Sequence, residues 1–388
     1  MTEHIAGFTS TGSKRPEILF GTHDHGLPTR MVRSSGCRVW DDQGRELVDY
    51  LMGLGSVALG YGHPDVTRAV MQAVEAGVVG PLPPTLEEEV AAELCRRIPW
   101  MEQVRFLKTG AEAMAAAVRL ARVATKRDCI LGCGYHGWLD WCQGGEGVPH
   151  STRALYDELP FNDAARSREM IRAIGDRLAA VVFEPVVVYE PDAEWLAVLR
   201  EETARCGALL VVDEIKTVCR LAIGGASERY HIRPDLVVLG KALANGFPLA
   251  AVGGRKDVMA GVAQTWISST LATEFVALAA ANATLKVMVE SEVPDHLQRV
   301  GRRLLTGLTE LRHQYPDLVS GVGGISEMCF LQYADEGVSR SVSSACARAG
   351  LLFKRSAYNF VSLAHTEAVI DHSLALLGEA LSVARKPA

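Results

Sequence analysis

Short apolar runs alternate with helical segments through the middle of this 388-residue chain, and that alternation constrains its fold most strongly. Apolar strands that are interleaved with helices are typical of sheets buried on both faces. The runs predict strands at 104–107, 129–132, 179–183, 208–212, 236–239 and 249–252, with helices such as 111–124 between them. The chain is therefore expected to form an α/β fold in which helices cover both faces of a mainly parallel sheet.

The sequence on either side of this region follows other patterns. Residues 38–50 predict a hairpin with an Asp/Gly turn, and Pro64 suits the first turn of a helix over 65–77. Thr85-Leu86-Glu87-Glu88 resembles a capping box that begins the next helix. After about residue 275, long amphipathic helices and a few short strands indicate a separate C-terminal lobe.

Composition excludes several classes of function. The formal net charge of −6 gives no electrostatic reason to bind nucleic acid or an anionic membrane. No uncharged apolar run approaches the roughly 20 residues of a membrane helix, and the N-terminus lacks a signal-peptide pattern. The nine cysteines are scattered without a CxxC pair, so no metal site is expected. These features predict a soluble, cytoplasmic protein.

Lys241 follows the apolar run Leu236–Leu239 within a turn of small residues. A lysine released there from a buried strand is poorly solvated, loses its proton easily and can form a Schiff base with an aldehyde. Asp213 ends an earlier apolar strand, and the neighbouring Glu214 and Lys216, taken by themselves, indicate a solvated loop pair. Pyridoxal phosphate needs both an aldehyde-bonding lysine and an acidic partner for its ring nitrogen. Lys241 and Asp213 therefore predict this cofactor.

Other strand ends provide candidate contacts for the same cofactor. Thr109-Gly110-Ala111 joins a strand to a helix, where free backbone N–H groups and the helix dipole favour a phosphate. Gly134-Tyr135-His136-Gly137-Trp138 ends the next strand with aromatic rings that can stack on a planar ring. Glu184 ends another strand, and Ile215 emerges on the same side as Asp213. With the run before Lys241, the predicted cofactor site thus draws on five strand ends.

Several stretches of the chain resemble, in this order and spacing, the class III (subgroup II) aminotransferases, which are pyridoxal-phosphate enzymes of fold type I. The resemblance runs from about residue 33 to the C-terminus. It rests on WDDQGRELVDY, VRFLKTGAEAM, GYHGW, VVDEIKTVCRL and RPDLVVLGKALANGFPLAAVGG, among other stretches. Within the family, the strongest likeness is to the 2,1-aminomutases that act on glutamate-1-semialdehyde.

The resemblance implies an architecture. A large domain over residues 53–274 would hold a mainly parallel, seven-stranded sheet and the cofactor. A smaller α+β lobe would be built from both termini, residues 1–52 and 275–388. The family also implies a homodimer with shared active sites, because Thr270 matches a threonine that reaches the phosphate of the neighbouring subunit.

The resemblance also implies roles for individual residues. Lys241 would be the Schiff-base lysine and Asp213 the partner of the ring nitrogen, with Gly110 and Ala111 on the phosphate. Tyr135 and Ile215 would lie on the two faces of the ring. His136, Thr109 and Glu184 complete the predicted cofactor contacts, and Arg33, Tyr189 and Glu367 are predicted to bind the substrate. Arg33 matches the arginine that holds the substrate carboxylate in the aminomutases, and Glu367 matches a glutamate over the substrate entrance.

The chain departs from the aminomutase pattern at two places that bear on activity. Val188-Tyr189 stands where the aminomutases usually have an asparagine, so the ring hydroxyl loses its expected partner unless Tyr189 replaces it. The stretch from Trp138 to Pro160 looks shorter than the active-site lid of the aminomutases. Since a mutase must retain its intermediate between two half-reactions, a shorter lid favours release of a keto product.

Three functions remain open at this point. The first is an aminotransferase that moves an amino group from an amine or amino acid to a small carbonyl compound, with pyridoxamine phosphate as the intermediate form of the cofactor. The second is a 2,1-aminomutase of the glutamate-1-semialdehyde type, or another reaction at Cα of a small amino acid. The third is a cofactor-binding protein without turnover, against which the intact Lys241 and Asp213 argue. The identity of the substrates is left open.

Overall fold

The structure is a computed structural model that describes residues 4–22, 24 and 26–385. The chain divides into two compact units. The larger unit comprises Pro64–Pro294, and the smaller one combines Met1–His63 with Asp295–Ala388. These boundaries lie later in the chain than the predicted 52/53 and 274/275.

The strands are short, and most of those in the larger unit are buried along their whole length. In chain order they are β1 (Met31–Ser35), β2 (Arg38–Asp41), β3 (Glu46–Asp49), β4 (Gln103–Leu107), β5 (Cys129–Cys133), β6 (Tyr156–Glu158), β7 (Leu178–Phe183), β8 (Leu209–Asp213), β9 (Leu236–Leu239), β10 (Ala250–Gly254), β11 (Val319–Ile325), β12 (Met328–Tyr333), β13 (Leu351–Leu352) and β14 (Asn359–Phe360).

The helices range from single turns to 22 residues. They are α1 (Pro16–Leu19), α2 (Pro64–Glu75), α3 (Thr85–Arg97), α4 (Gly110–Thr125), α5 (His150–Arg153), α6 (Ala164–Ile174), α7 (Ala193–Cys206), α8 (Ala226–Arg229), α9 (Lys256–Met259), α10 (Phe275–Glu290), α11 (Val293–Gln314), α12 (Glu336–Arg348) and α13 (Glu367–Ala384). Short 3-10 turns span Gly12–Lys14, Gly175–Arg177, Lys241–Ala244 and Ala260–Gln264. Among the described residues, no helix is long and apolar enough to cross a membrane.

A seven-stranded sheet with the order β4-β10-β9-β8-β7-β5-β6 forms the centre of the larger unit. Strands β9, β8, β7, β5 and β6 pair in parallel, whereas β10 is antiparallel to both of its neighbours. The prediction of an α/β fold with a mainly parallel sheet is therefore confirmed. Strand β6 was not predicted from the sequence, because its three residues are polar and partly exposed.

Apolar layers cover both faces of this sheet. Along β7, Ala180 and Val182 pack in one core cluster with helix α4. Val181 and Phe183 point to the other face and join a second cluster that includes Trp195 of α7. Because side chains alternate along a strand, two apolar clusters require a strand that is apolar at every position. This explains the uninterrupted apolar runs of the sequence.

Helix α4 rather than α3 begins with a capping box. Thr109 accepts a hydrogen bond from the Glu112 backbone, and the Glu112 carboxylate accepts one from the Thr109 backbone. The capping box predicted at Thr85 is wrong, since Pro84 is the N-cap of α3 and makes no side-chain hydrogen bond. Thr85 is already the first helical residue, so its hydroxyl lies one position too late to cap.

The smaller unit contains two further sheets. The predicted hairpin is confirmed as β2 and β3, which pair antiparallel within the sheet β1-β2-β3-β13. A three-stranded sheet, β11-β12-β14, lies in the C-terminal part. The smaller unit is thus an α+β unit made from both ends of the chain.

The parallel strands of the large sheet end at one edge, where the chain turns away into helices or loops. Strands β5, β7, β8 and β9 all end there, and a residue that the sequence analysis singled out lies at the end of each strand or within two residues after it. In open α/β sheets, ligands bind outside the carboxyl ends of the strands.

Candidate active site

Lys241 follows β9 by two residues and begins a tight 3-10 turn. Its backbone has a φ of +45°, in the left-handed region that residues with a side chain seldom adopt. The three residues after it, Ala242–Ala244, are buried and hold this conformation. Backbone strain of this kind persists only where the surrounding structure imposes it, and it clusters at functional sites.

The amine of Lys241 is poorly solvated. Burial, and after it the positive charge of Lys216, lower its pKa from 10.5 to about 8, against the opposing effects of Glu184 and Asp213. Among the described residues, none accepts a hydrogen bond from Lys241 Nζ. A substantial fraction of the amine is therefore neutral near physiological pH, which is the form that attacks a carbonyl carbon.

Asp213 is the last residue of β8, and its carboxylate is only 3% exposed. Oδ1 accepts a hydrogen bond from the backbone N–H of Ile215 at 3.1 Å. Oδ2 lies 2.9 Å from Nδ1 of His136, which donates to it. The carboxylate keeps lone pairs for one further donor, and its orientation is set by two fixed N–H groups.

His136 is as deeply buried as Asp213, and its ring stacks on Trp141 at 6.0 Å between ring centres. Its second ring nitrogen, Nε2, is buried and has no partner among the described residues. The sequence analysis predicted His136 as a cofactor contact within an aromatic segment. The structure shows its contact with Asp213, and its role as a cofactor contact stays a prediction. The order of the strands, with β7 between β5 and β8, could not be read from the sequence, so this pairing was not predicted.

Ile215 fills the space between two turns of the site. A Cβ atom added to Gly110 would lie 2.7 Å from Ile215 Cδ1, and one added to Gly240 would lie 3.4 Å from Ile215 Cγ2. Gly110 is therefore needed for the close approach of this side chain, whereas Gly240 lies at ordinary contact distance from it. Ile215 thus connects the start of α4 with the turn that carries Lys241.

The start of α4 is a free anion site. Gly110 and Ala111 are its first two residues, so their backbone N–H groups have no intrahelical acceptor. The hydroxyl of Thr109 is occupied with Glu112. Gly137 approaches closely, since a Cβ atom there would lie 2.6 Å from Ala111 Cβ. The segment after β5 therefore borders the same helix end.

The aromatic side chains after β5 differ in their surroundings. Tyr135 is 67% exposed and Trp138 is 73% exposed, so neither is ordinary core packing within the larger unit. Tyr189 is also exposed, and the preceding Val188 has a φ of +64°, unusual for a β-branched residue. Tyr135 is free to cover the face of a ligand opposite Ile215.

Glu184 and Lys216 form an ion pair at 2.7 Å, and both side chains are almost buried. The interpretation of Lys216 and Glu214 as a solvated loop pair is therefore wrong. Glu214 is completely buried and accepts hydrogen bonds from the backbone N–H groups of Ala226 and Ser227. A signal was present in the sequence: Glu184 and Lys216 follow neighbouring parallel strands, whose carboxyl ends meet at one edge.

Of the remaining predicted site residues, Arg33 and Glu367 belong to the smaller unit and Thr270 to the larger one. Arg33 is exposed on β1 of the smaller unit, with its guanidinium 4.4 Å from the centre of the Trp40 ring. Glu367 begins α13 in the same unit and lies 3.5 Å from Arg303. Thr270 of the larger unit is exposed in a turn. The roles of all three stay predictions.

The described residues contain no group of three or more His, Cys, Asp or Glu side chains that could hold a metal ion. The cluster of Lys241, Asp213, His136 and the start of α4 instead offers an amine, a carboxylate and an anion site. These groups suit a planar, phosphate-bearing aldehyde better than an ion.

The sequence and its relatives agree with this geometry. The model of the family "Aminotransferase class-III" matches residues 20–384. The glutamate-1-semialdehyde 2,1-aminomutase of Pyrobaculum arsenaticum is 35% identical over 392 residues, covering 91% of this chain and 92% of its own. The enzyme of the same name from Thermus thermophilus is 34% identical over 419 residues, covering 97% and 96%.

Solved structures resemble the fold closely. The PLP internal aldimine form of the FumI protein from a Sphingopyxis species is 25% identical, with a TM-score of 0.91 over 96% of this chain and 92% of FumI. A β-phenylalanine aminotransferase from Variovorax paradoxus is 27% identical, with a TM-score of 0.83 over 93% and 90% of the two chains.

Proposed function

Because this chain belongs to the class-III aminotransferase family, we propose that it is a pyridoxal-phosphate-dependent enzyme that transfers an amino group. Lys241 is the residue that bonds to the cofactor. The observation that carries the proposal is the half-buried amine of Lys241, whose pKa is lowered to about 8, at the same sheet edge as the buried carboxylate of Asp213.

The residues at this edge fit the cofactor group by group. The aldehyde requires a neutral amine, which Lys241 provides. The ring nitrogen requires an acidic partner, and Asp213 has lone pairs left after its bonds to His136 and Ile215. The phosphate requires free N–H donors, which Gly110 and Ala111 present at the start of α4. Ile215 and the exposed Tyr135 are suited to the two ring faces.

When bound, pyridoxal phosphate supplies an electron-withdrawing ring that stabilises negative charge at the substrate Cα. Asp213 holds a proton on the ring nitrogen, and His136 holds Asp213 in place. With the cofactor bound, Lys241 Nζ would be the base that takes the proton from the substrate Cα. Burial lowers the pKa of this amine to about 8, so the neutral form that accepts a proton is far more populated at physiological pH than in an exposed lysine.

We assign the reaction as an aminotransfer between an amino donor and a small carbonyl compound. The family description and the likeness to the Variovorax β-phenylalanine aminotransferase support this assignment. The short segment between β5 and β6, residues 134–155, supports it too, since a short lid favours product release.

An intramolecular 2,1-aminomutase is the second candidate. The observation that favours it is the name of both relatives, each over 90% of this chain and at 34–35% identity. The loss of the usual asparagine at Val188-Tyr189 counts against it, because that residue was expected to contact the ring hydroxyl.

Arg33, Tyr189 and Glu367 are the proposed substrate-binding residues, with Arg33 suited to a carboxylate through its two parallel N–H donors. We further propose that the chain acts as a homodimer in which the exposed Thr270 completes the phosphate site of the other subunit. The substrate is therefore expected to be a small amine or amino acid.

The two candidates differ in whether the product leaves between half-reactions. The experiment loads the protein with pyridoxal phosphate, adds one amine or amino acid from a panel, and follows the visible absorbance without any acceptor. An aminotransferase converts all of the cofactor to its amine form and releases one keto product per site. Isomerisation of glutamate-1-semialdehyde, with no release of keto product from any donor, would support the mutase instead. No reaction with either would overturn the proposed function.

A further inference from the structure

The larger unit places a second lysine at the edge that carries Lys241. Lys216 lies three residues after the end of β8, and its Nζ is 2.7 Å from Oε2 of Glu184. Only about a tenth of either side chain is exposed. A nearly buried carboxylate at this distance favours the charged form of an ammonium group.

Two sets of contacts fix the position of Lys216. The segment before it is tied to β9 by a backbone hydrogen bond of 2.9 Å from Glu214 to Val238. Ile215 is enclosed between Gly110 and Gly240, the residue that immediately precedes Lys241. The positive charge is therefore carried by a segment packed against the turn of Lys241.

Glu184 is held as firmly as its partner. It directly follows β7, and its backbone N–H donates to the Cys133 carbonyl at 2.9 Å. Its side chain lies under Gly134, where a Cβ atom would be only 2.8 Å from Glu184 Cγ. The carboxylate therefore has little freedom to swing toward Lys241 in place of Lys216.

Four charged groups act on the amine of Lys241. Lys216 and Arg220 disfavour its protonated form, and Glu184 and Asp213 favour it; of the four, Lys216 has the largest effect. Asp213 is itself bonded to His136 after β5.

Helix α10 packs on the Lys241 turn from another side. Its charged groups are Glu274, which pairs with Lys108 at 2.6 Å, and the exposed Lys286 and Glu290. None of these is a free charge directed at the amine. Among these groups, Lys216 is thus the cation with the largest effect on the pKa of Lys241, and a substitution can remove that effect.

We propose that Lys216 is a positioning residue whose fixed positive charge favours the unprotonated form of the Lys241 amine, and that Glu184 holds the Lys216 ammonium ion in place for this purpose. The inference deepens the proposed function, since it concerns the lysine assigned there as the covalent residue. The two lysines then have different roles: Lys241 reacts as the neutral amine, whereas Lys216 is charged and does not react.

The test measures the proton state of Lys241 without turnover. The full chain, freed of cofactor, is treated with trace acetic anhydride between pH 6 and 10, and acetylation of Lys241 is quantified by mass spectrometry against the exposed Lys286. Lys216→Met removes the charge, Lys216→Arg keeps it, and Lys256→Met is a control on a lysine outside the site. Circular dichroism verifies the fold of each variant.

In the parent chain the acetylation of Lys241 should be half-maximal near pH 8. Lys216→Met should lower acetylation at pH 7.5 about threefold to tenfold, as expected of a midpoint raised by about half to one unit. Lys216→Arg and Lys256→Met should stay within about twofold of the parent, on the same scale. An unchanged profile in Lys216→Met, or equal shifts in Lys216→Met and Lys216→Arg, would overturn the proposal.

A failure of this inference can be distinguished from a failure of the proposed function. If the profile moves in Lys216→Met but the parent chain does not bond pyridoxal phosphate, the charge effect stands and the proposed function fails. If the parent bonds the cofactor at Lys241 but the profile does not move, the proposed function stands and this inference fails.

Discussion

His136 Nδ1 lies 2.9 Å from Asp213 Oδ2, and both side chains are almost completely buried. The two residues come from separate parts of the chain, 77 positions apart, and meet because β5 and β8 lie on either side of β7. A buried carboxylate is costly unless hydrogen bonds satisfy it. His136 therefore determines both the stability and the orientation of the group that we assign to the ring nitrogen.

The energetic coupling of these two residues is measurable. His136→Phe keeps the ring that stacks on Trp141 and removes the donor to Asp213. We expect it to lower the free energy of unfolding by about 1–3 kcal/mol, the cost of a buried acceptor that loses its partner. Urea denaturation of His136→Phe, Asp213→Asn and the double variant should give a coupling energy of at least about 0.5 kcal/mol. Strictly additive effects would show that the bond contributes nothing to the fold.

The stability of the cofactor-free chain should depend on pH through Lys241. The folded chain releases this proton near pH 8, whereas an exposed lysine in the unfolded chain does so near about 10.4. Between these values the unfolded state binds more protons, so the free energy of unfolding rises with pH.

Lys241→Met removes this effect and is the matched comparison. From pH 7.5 to 10 the parent should gain stability relative to Lys241→Met, by an amount on the order of 2–3 kcal/mol. Denaturation at both pH values measures it. A parent and a variant that respond to pH identically would show that Lys241 is protonated like an ordinary lysine.

Gly137 lies where a side chain would separate the segment after β5 from α4. Its φ is +105°, and a Cβ atom would come within 2.6 Å of Ala111 Cβ. Gly137→Ala should destabilise the chain by about 1–3 kcal/mol and weaken cofactor retention, because the strained turn must shift at the phosphate site. Gly144→Ala is the control, since nothing lies within 4 Å of a Cβ there. Equal retention of cofactor by the two variants would contradict this account.

The central strands of the large sheet, and the closeness of Asp213 to Lys241, could be predicted from the sequence. The runs that became β5, β7, β8 and β9 are apolar at every position, and only strands buried on both faces have that pattern. The carboxyl ends of such strands meet at one edge, so the neighbourhood of Asp213 and Lys241 follows from the chain order. The short strand β6 was not predicted from the sequence, because its residues are polar.

The pairings within the site were not predictable in the same way. Which side chain meets which depends on the lateral order of the strands, and local pairs such as Thr109 with Glu112 and Asp213 with Ile215 account for only part of the site. His136 with Asp213 and Lys216 with Glu184 are long-range, and charged or aromatic residues in loops are ordinarily solvated. Ile215 packs between Gly110 and Gly240, so the turns of the site lie close together.

The proposed contribution of Thr270 to the phosphate site of the other subunit can be tested separately. Thr270→Ala should weaken cofactor retention about tenfold to a hundredfold, the effect of losing one hydrogen bond to a charged group, about 1.5–3 kcal/mol. At limiting cofactor, mixing inactive Lys241→Ala with inactive Thr270→Ala chains should restore activity. In a hybrid dimer one site then has both intact residues and the other has both defects. No recovery after verified subunit exchange, or full activity in a proven monomer, would rule out the shared site.

The assignment of the covalent lysine is tested most directly by chemical trapping. The protein is incubated with pyridoxal phosphate, reduced with borohydride, digested, and mapped by mass spectrometry, with Lys241→Ala treated in parallel. We predict that the parent carries one pyridoxyl group per chain on Lys241 and that Lys241→Ala carries none. A label on Lys216, or labelling of the variant equal to that of the parent, would contradict the central assignment.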